Sequence, residues 1–136
     1  MKSAAVVLVV SVLAAAAAAS SAGATRSPGF VGCRAYTAAQ PAPTVRPRSI
    51  VAACADANLY FTGLRWSTWS ASRAVGTGIA HQNDCTPNCA AGRFHTYPAH
   101  VTLTAPRACG GKRELTKLTY RFAAKFGSGS ETFRCR

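Results

Sequence analysis

Asn83-Asp84-Cys85-Thr86-Pro87-Asn88-Cys89-Ala90-Ala91-Gly92 carries the densest turn chemistry in the chain, and its reading decides the fold. Asn, Asp, Pro and Gly each favour reversal of the backbone for separate reasons: local side-chain hydrogen bonding, a pre-set φ, or freedom from a Cβ. The residues before it read as a strand leading in, and those after it as a strand leading out. Cys85 and Cys89 are four apart. In an extended strand their Cα atoms would lie roughly 13 Å apart, too far to bridge. Thr86-Pro87-Asn88 folds the chain back, so a local disulfide becomes possible.

Upstream, Ser49–Cys54 reads as a short buried strand and Asp56-Ala57-Asn58 as a turn. Leu59-Tyr60-Phe61-Thr62-Gly63-Leu64-Arg65-Trp66 follows. Leu59 and Phe61 share one face under period-two alternation, and Leu64 and Trp66 fall on the other parity. A bulge at Gly63 puts all four on one face. Trp69, three residues beyond Trp66, is then expected on the opposite face, either as a stacking platform for a sugar ring or base or as part of a small edge cluster. Ala71–Gln82, with Gly76-Thr77-Gly78, reads as a strand pair or one interrupted strand. The two glycines are no dinucleotide fingerprint, since no helix pattern follows them.

Downstream, Val101 and Leu103 alternate with Thr102 and Thr104 in a strand over Phe94–Thr104. Pro98 within it argues for an edge or a bulge. Pro106–Lys112 reads as a turn. Leu115–Phe126 fits both periods, and its Thr, Tyr and Phe content favours strand. Gly127-Ser128-Gly129-Ser130 reads as a turn and Glu131–Cys135 as a last short strand. About six short strands separated by turn signals predict an all-β fold, a small antiparallel sandwich or barrel stapled by disulfides. Trp66, Phe61, Val101, Leu103, Tyr120 and Phe122 are the expected core.

The chain opens with Lys2, an apolar run over Ala4–Ala19 broken by Ser11, and Ala22-Gly23-Ala24. These are the three parts of a secretory signal peptide over residues 1–24. An uncleaved anchor is the alternative, but the run is short, mostly alanine and followed by no basic cluster, so no transmembrane span is expected after cleavage. Residues 25–48, with Pro28, Pro41, Pro43 and Pro47, read as an extended or disordered lead segment, and 49–136 as one β domain. All six cysteines follow the cleavage point. An even count in an exported chain predicts up to three disulfides. If the last strand pairs back beside the strand before it, Cys135 returns to Cys109. The expected set is then Cys109–Cys135, Cys85–Cys89 and Cys33–Cys54.

The formal net charge is +12, with 16 Lys plus Arg against four acidic residues. Loss of Lys2 with the leader reduces it by one. Such a surface attracts extracellular polyanions or a cell-wall polymer. Arg65, Arg73, Arg93 and Arg121 are read as coming from different strands, and with Trp69 they are the candidate ligand-binding residues. A hydrolase of nuclease type would instead use His81, His95 or His100 with Asp84 or Glu114, yet no spacing fixes their meeting. No nucleophile elbow, metalloprotease helix or phosphate loop is present in the sequence. One cysteine pair with His81 and His95 is a weak zinc signal in an oxidising compartment, so no metal, cofactor or assembled catalytic set is expected. The leading reading is a secreted, strongly basic binding module of no enzymatic activity.

The run Trp66-x-x-Trp69, Gly76-x-Gly78, Asn83-Asp84-Cys85-x-Pro87-x-Cys89-Ala90-x-Gly92, Tyr97-Pro98 resembles a family of small, uncharacterised secreted proteins of actinobacteria. The likeness covers about Ile50 to Phe122; it implies export and a bacterial source, and it implies no activity. In size and disulfide linkage the chain is also similar to the secreted actinobacterial subtilisin inhibitors. It has no equivalent of their Met-Cys-Pro reactive-site element. By analogy alone, Cys85-Thr86-Pro87-Asn88-Cys89 could hold a loop rigid for a protease, which would lower the cost of binding.

Overall fold

The computed structural model describes residues 26–33, 44–123 and 127–135. The signal-peptide reading of residues 1–24 lies outside the described residues. Seven strands and no helix are found among those described: β1 (Gly29–Phe30), β2 (Ile50–Val51), β3 (Leu59–Trp69), β4 (Ala74–Asn83), β5 (Phe94–Cys109), β6 (Lys112–Phe122) and β7 (Ser128–Thr132). They form one curled sheet, a half-barrel, in the order β1-β6-β5-β4-β3-β2, with β7 also paired to β6. Every pairing is antiparallel except that of β1 with β6, which is parallel. The protein is thus a small all-β fold stapled by three disulfides.

The concave face holds the core. Phe61, Val101, Leu103 and Phe122 are buried, and Trp66 and Tyr120 pack against them half-buried. β3 reaches this face through a bulge between Thr62 and Arg65, where Gly63 takes φ +60°. Two residues of β3 there oppose one of β4, so Phe61 and Leu64 both point inward, as the parity of the sequence requires. A second bulge, between Trp66 and Thr68, was not legible. It turns Trp69 inward beside Trp66, with ring centroids 4.9 Å apart and planes at 89°. Trp69 is therefore a core-packing residue and not an outward platform.

A single curled sheet covers its concave side only if a second layer lies over it. Here the lead segment supplies part of that layer. Pro28, Phe30, Val31 and Pro47 are buried. The Trp69 indole N–H donates to the Pro28 carbonyl at 3.0 Å, and the Trp66 indole N–H to the Pro47 carbonyl at 2.8 Å. Phe30 meets Phe133 edge to face at 5.1 Å. The fold thus begins before Ser49, and proline content misread this segment. Prolines without N–H groups still offer carbonyls, and the two indoles need acceptors. Residues 34–43 of the segment lie outside those described. Cys33, just after β1, is bonded to Cys54, just after β2, so this disulfide ties together the two path-end strands of the sheet.

β4 runs unbroken through its glycines. A Cβ at Gly76 would stand 2.7 Å from the Arg65 carbonyl and 2.9 Å from the Trp66 ring, and one at Gly78 would stand 2.8 Å from Leu64. These glycines let the bulged strand and its large side chains lie close, and they do not end the strand. Pro98 sits one residue beyond the last β5–β6 pair, Ala99 with Phe122. Among the described residues β5 there borders β4 alone, and a missing N–H costs no bond to β6. The predicted turn over Pro106–Lys112 is shorter than expected: β5 continues to Cys109, and Gly110-Gly111, both at positive φ, make the two-residue hairpin. Of the segment Leu115–Phe126, Leu115–Phe122 is strand, within β6, and residues 124–126 lie outside those described. Gly127–Ser130 is not a turn, since β7 starts at Ser128; the strand expected over Glu131–Cys135 ends at Thr132. Parallel to β5 by way of β6, β7 leads Cys135 to Cys109, and the two are bonded.

Candidate polyanion-binding face

Side chains of β3 to β7 that do not enter the core line the convex face. Register builds one row across it: Arg65 pairs with Thr77, Thr77 with His100, His100 with Arg121, and Arg121 with Ser128. All five are exposed. Three strand spacings separate Arg65 from Arg121, roughly 14 Å along the row. The adjoining row on one side is Val75, Thr102, Thr119 and Ser130, and the next contains Thr104, Lys117 and Thr132. An open groove of about 610 Å³ runs along this face, lined by His100, Thr102, Lys117, Thr119, Arg121 and Ser130 among others. A second depression of about 320 Å³, lined by Arg65, Thr77, Ile79 and Pro98 among others, shares His100 with it.

None of the four carboxylates belongs to these rows. Asp56 lies between β2 and β3, Asp84 follows β4, Glu114 is buried beside β1, and Glu131 falls on the other parity of β7. The face therefore presents Arg65, Lys117 and Arg121 among hydroxyls, with no anion in the rows to offset them. Positive charge gathered over one surface raises the local concentration of anionic ligands.

Of the four candidate arginines, the structure brings together Arg65 and Arg121. Arg73 closes the β3–β4 turn, where its carbonyl accepts from the Ser70 N–H and hydroxyl. Arg93 precedes β5 at the opposite end, and its N–H donates to Asp84 Oδ1 at 2.9 Å. Both are exposed but stand off the row. Lys117 and His100 were missed as ligand-binding candidates. Period two made Lys117 legible, because Lys117, Thr119 and Arg121 alternate with Leu118, Tyr120 and Phe122.

The histidines separate into three environments. His100 is on the row. His81 Nε2 is 2.8 Å from Thr62 Oγ1, and its ring stacks on Tyr60. His95 Nε2 is 3.0 Å from Asp84 Oδ2, and both residues are substantially exposed. That hydrogen bond comes first in holding the Asp84 carboxyl down at about 2; the N–H groups of Arg93 and Thr86, which donate to Oδ1, add to it. Around it, Asn83 Oδ1 accepts from the Cys85 N–H while its amide donates to the Cys89 carbonyl and to Asn58. The Cys85–Cys89 bond closes this loop, and its Cα atoms are 3.7 Å apart. Every residue of the opening motif except Gly92 and Cys85 is thus exposed or at the sheet end, and the polar groups brace the turn. Glu114 is buried and meets none of the histidines in register.

No family model, curated protein or solved structure matches this chain. No group of three or more metal-ligating side chains occurs among the described residues, and no described helix is long and apolar enough to cross a membrane.

Proposed function

We propose that this protein is a secreted, disulfide-stabilised binding module that holds an extracellular polyanion, such as a cell-wall polymer or nucleic acid, on the convex face of its sheet. The cross-strand row Arg65–Thr77–His100–Arg121–Ser128, with Lys117 beside it and no carboxylate in it, is the observation that carries the reading. The alanine-rich leader and the three disulfides support export, since such bonds persist in oxidising compartments. The actinobacterial source rests on the motif resemblance alone. Guanidinium groups pair with phosphate, sulfate or carboxylate through parallel N–H donors, and the neighbouring Thr and Ser hydroxyls add donors of their own.

The test is retention on immobilised polyanions across a salt series. Each phosphate contact contributes a slope of about −0.7 to −0.9 in log K against log salt, depending on the polymer. Arg65→Ala with Arg121→Ala should flatten the slope by roughly 1.5. Arg73→Ala, off the row, should leave it nearly unchanged. Salt-insensitive binding, or none to any polyanion, refutes the reading.

A secreted hydrolase is the second reading, favoured by the Asp84–His95 contact, which places a carboxylate against an imidazole at the sheet end. Turnover of RNA that His95→Ala abolishes, with the fold of the variant unchanged by circular dichroism, establishes it in place of a purely binding role.

A further inference from the structure

The convex face has an aromatic end as well as a basic row. Tyr60 pairs with His81 in register, and their rings stack with centroids 4.5 Å apart and planes 6° from parallel. Phe94, next along β5, lies 5.6 Å from the Tyr60 ring and is 48% exposed. Thr62 Oγ1, bonded to His81, fixes the orientation of that ring. This cluster shares the face of Arg65 and His100: along β4, His81, Ile79 and Thr77 alternate outward from one to the other. Four residues of β4 separate the two rows, about 13 Å, and Phe94 to His100 spans about 20 Å of β5.

We infer that the polyanion is single-stranded nucleic acid, its bases stacking on Phe94, Tyr60 and His81 while its phosphates follow Arg65, Arg121 and Lys117. This rests on the polyanion-binding reading above and names its ligand. Combined aromatic and basic surface is what a single strand uses, because each nucleotide brings one flat π face and one negative charge. A duplex keeps its base faces inside the stack, so the aromatic end gains nothing from it. A lipid surface is a poorer fit. The apolar side chains on this face, Phe94, Tyr60, Ile79, Pro98 and Val75, are interrupted by hydroxyls from Thr77, Thr96, Thr102, Thr119, Ser128 and Ser130 and by the cations of the row. An inserted face needs continuous apolar area. Asp84, the carboxylate nearest this end, is engaged by His95 and by the N–H groups of Arg93 and Thr86.

The experiment is equilibrium binding of the exported protein to oligothymidylate, to an abasic oligomer of the same phosphate number, to the corresponding duplex, to heparin and to anionic phospholipid vesicles. Oligothymidylate should bind most tightly. Phe94→Ala should weaken it roughly fivefold or more, the effect of losing one stacked base, and leave the abasic oligomer within about twofold. Phe94→Trp should keep or improve the affinity. The ring is exposed, so thermal midpoints of both variants should match the parent, and Tyr60→Leu provides a second probe if one does not. Equal affinity for oligothymidylate and its abasic counterpart overturns the inference, as does an equal loss on both with Phe94→Ala. Tighter binding of heparin or of vesicles overturns it too. With heparin the polyanion reading survives, whereas absence of binding to every anion removes that reading itself.

Discussion

Gly63→Ala isolates the backbone contribution of the bulge that orders β3. Gly63 has φ +60°, and a Cβ built on it meets nothing within 4 Å. Steric collision therefore adds nothing to the cost, which comes from the left-handed conformation alone, about 1–2 kcal/mol for an L-residue. Gly→Ala also restricts the unfolded chain, which stabilises by about 0.4–1 kcal/mol at a position of ordinary φ. The two oppose each other, and the net expectation is a loss of up to about 1.6 kcal/mol. For a domain of this size that lowers the thermal midpoint by up to about 8 °C. Gly76→Ala is the contrast, because its Cβ would stand 2.7 Å from a backbone oxygen and 2.9 Å from the Trp66 ring. It should cost more, about 2–4 kcal/mol, since a carbonyl in a ladder cannot retreat as a flexible side chain can. Chemical denaturation of the oxidised protein, with unchanged slope, measures both. If Gly63→Ala is stabilising, Gly63 is not in the left-handed region, and the bulge argument for the inward turn of Leu64 and Trp66 collapses. If the two substitutions cost the same, the distinction between strain and collision is wrong.

Trp69→Phe keeps an aromatic ring but leaves the buried Pro28 carbonyl without its indole donor, and should cost about 1–3 kcal/mol by denaturation. Its effect on polyanion affinity should be small, whereas an outward platform would lose affinity at constant stability. Removing Cys109 and Cys135 together opens a loop of 26 residues and should cost about 3 kcal/mol, with the refolded protein still all-β by circular dichroism. Asp84 has its carboxyl lowered to about 2 from 3.8, so its contribution is present above 3.8 and is lost as pH falls through about 2. Asp84→Asn should remove that part of the acid-side fall in thermal midpoint while the rest of the pH profile is kept; an unchanged acid limb counts against the His95, Arg93 and Thr86 contacts.

The fold class was legible because two signals agreed wherever β strands are long. In β5, Val101 and Leu103 alternate with Thr102 and Thr104, and in β6, Leu118, Tyr120 and Phe122 alternate with Lys117, Thr119 and Arg121. Strand glycine chemistry made the Gly63 bulge legible as well. The second bulge has no such marker. It is set by Ser67 and Thr68 where Trp66 and Trp69 both seek acceptors, on Pro47 and Pro28. Those acceptors lie 19 and 41 residues away in sequence, and periodicity within β3 cannot see them. The lead segment failed for the same reason from the other side. Its prolines signal neither strand nor core, but its carbonyls and Phe30 complete a layer that the curled sheet cannot supply alone.

The face itself illustrates how register gathers scattered charge into one row. Arg65 and Arg121 are 56 positions apart in sequence, and nothing local to either marks a shared surface. They meet in one row because the Gly63 bulge sets Arg65 opposite Thr77, and an unshifted β4–β5–β6 ladder carries that position through His100 to Arg121. A one-residue slip in any of these pairings would turn a whole strand's outward set into the core. The buried partners forbid such a slip: Gly76 and Gly78 fit under Trp66 and Leu64, and Val101, Leu103 and Leu118 fill the concave side. The apolar pattern that makes the core therefore also fixes which cations stand together outside it. The sequence names four arginines, but only the register shows that Arg65 and Arg121 share a row while Arg73 and Arg93 stand off it at opposite ends.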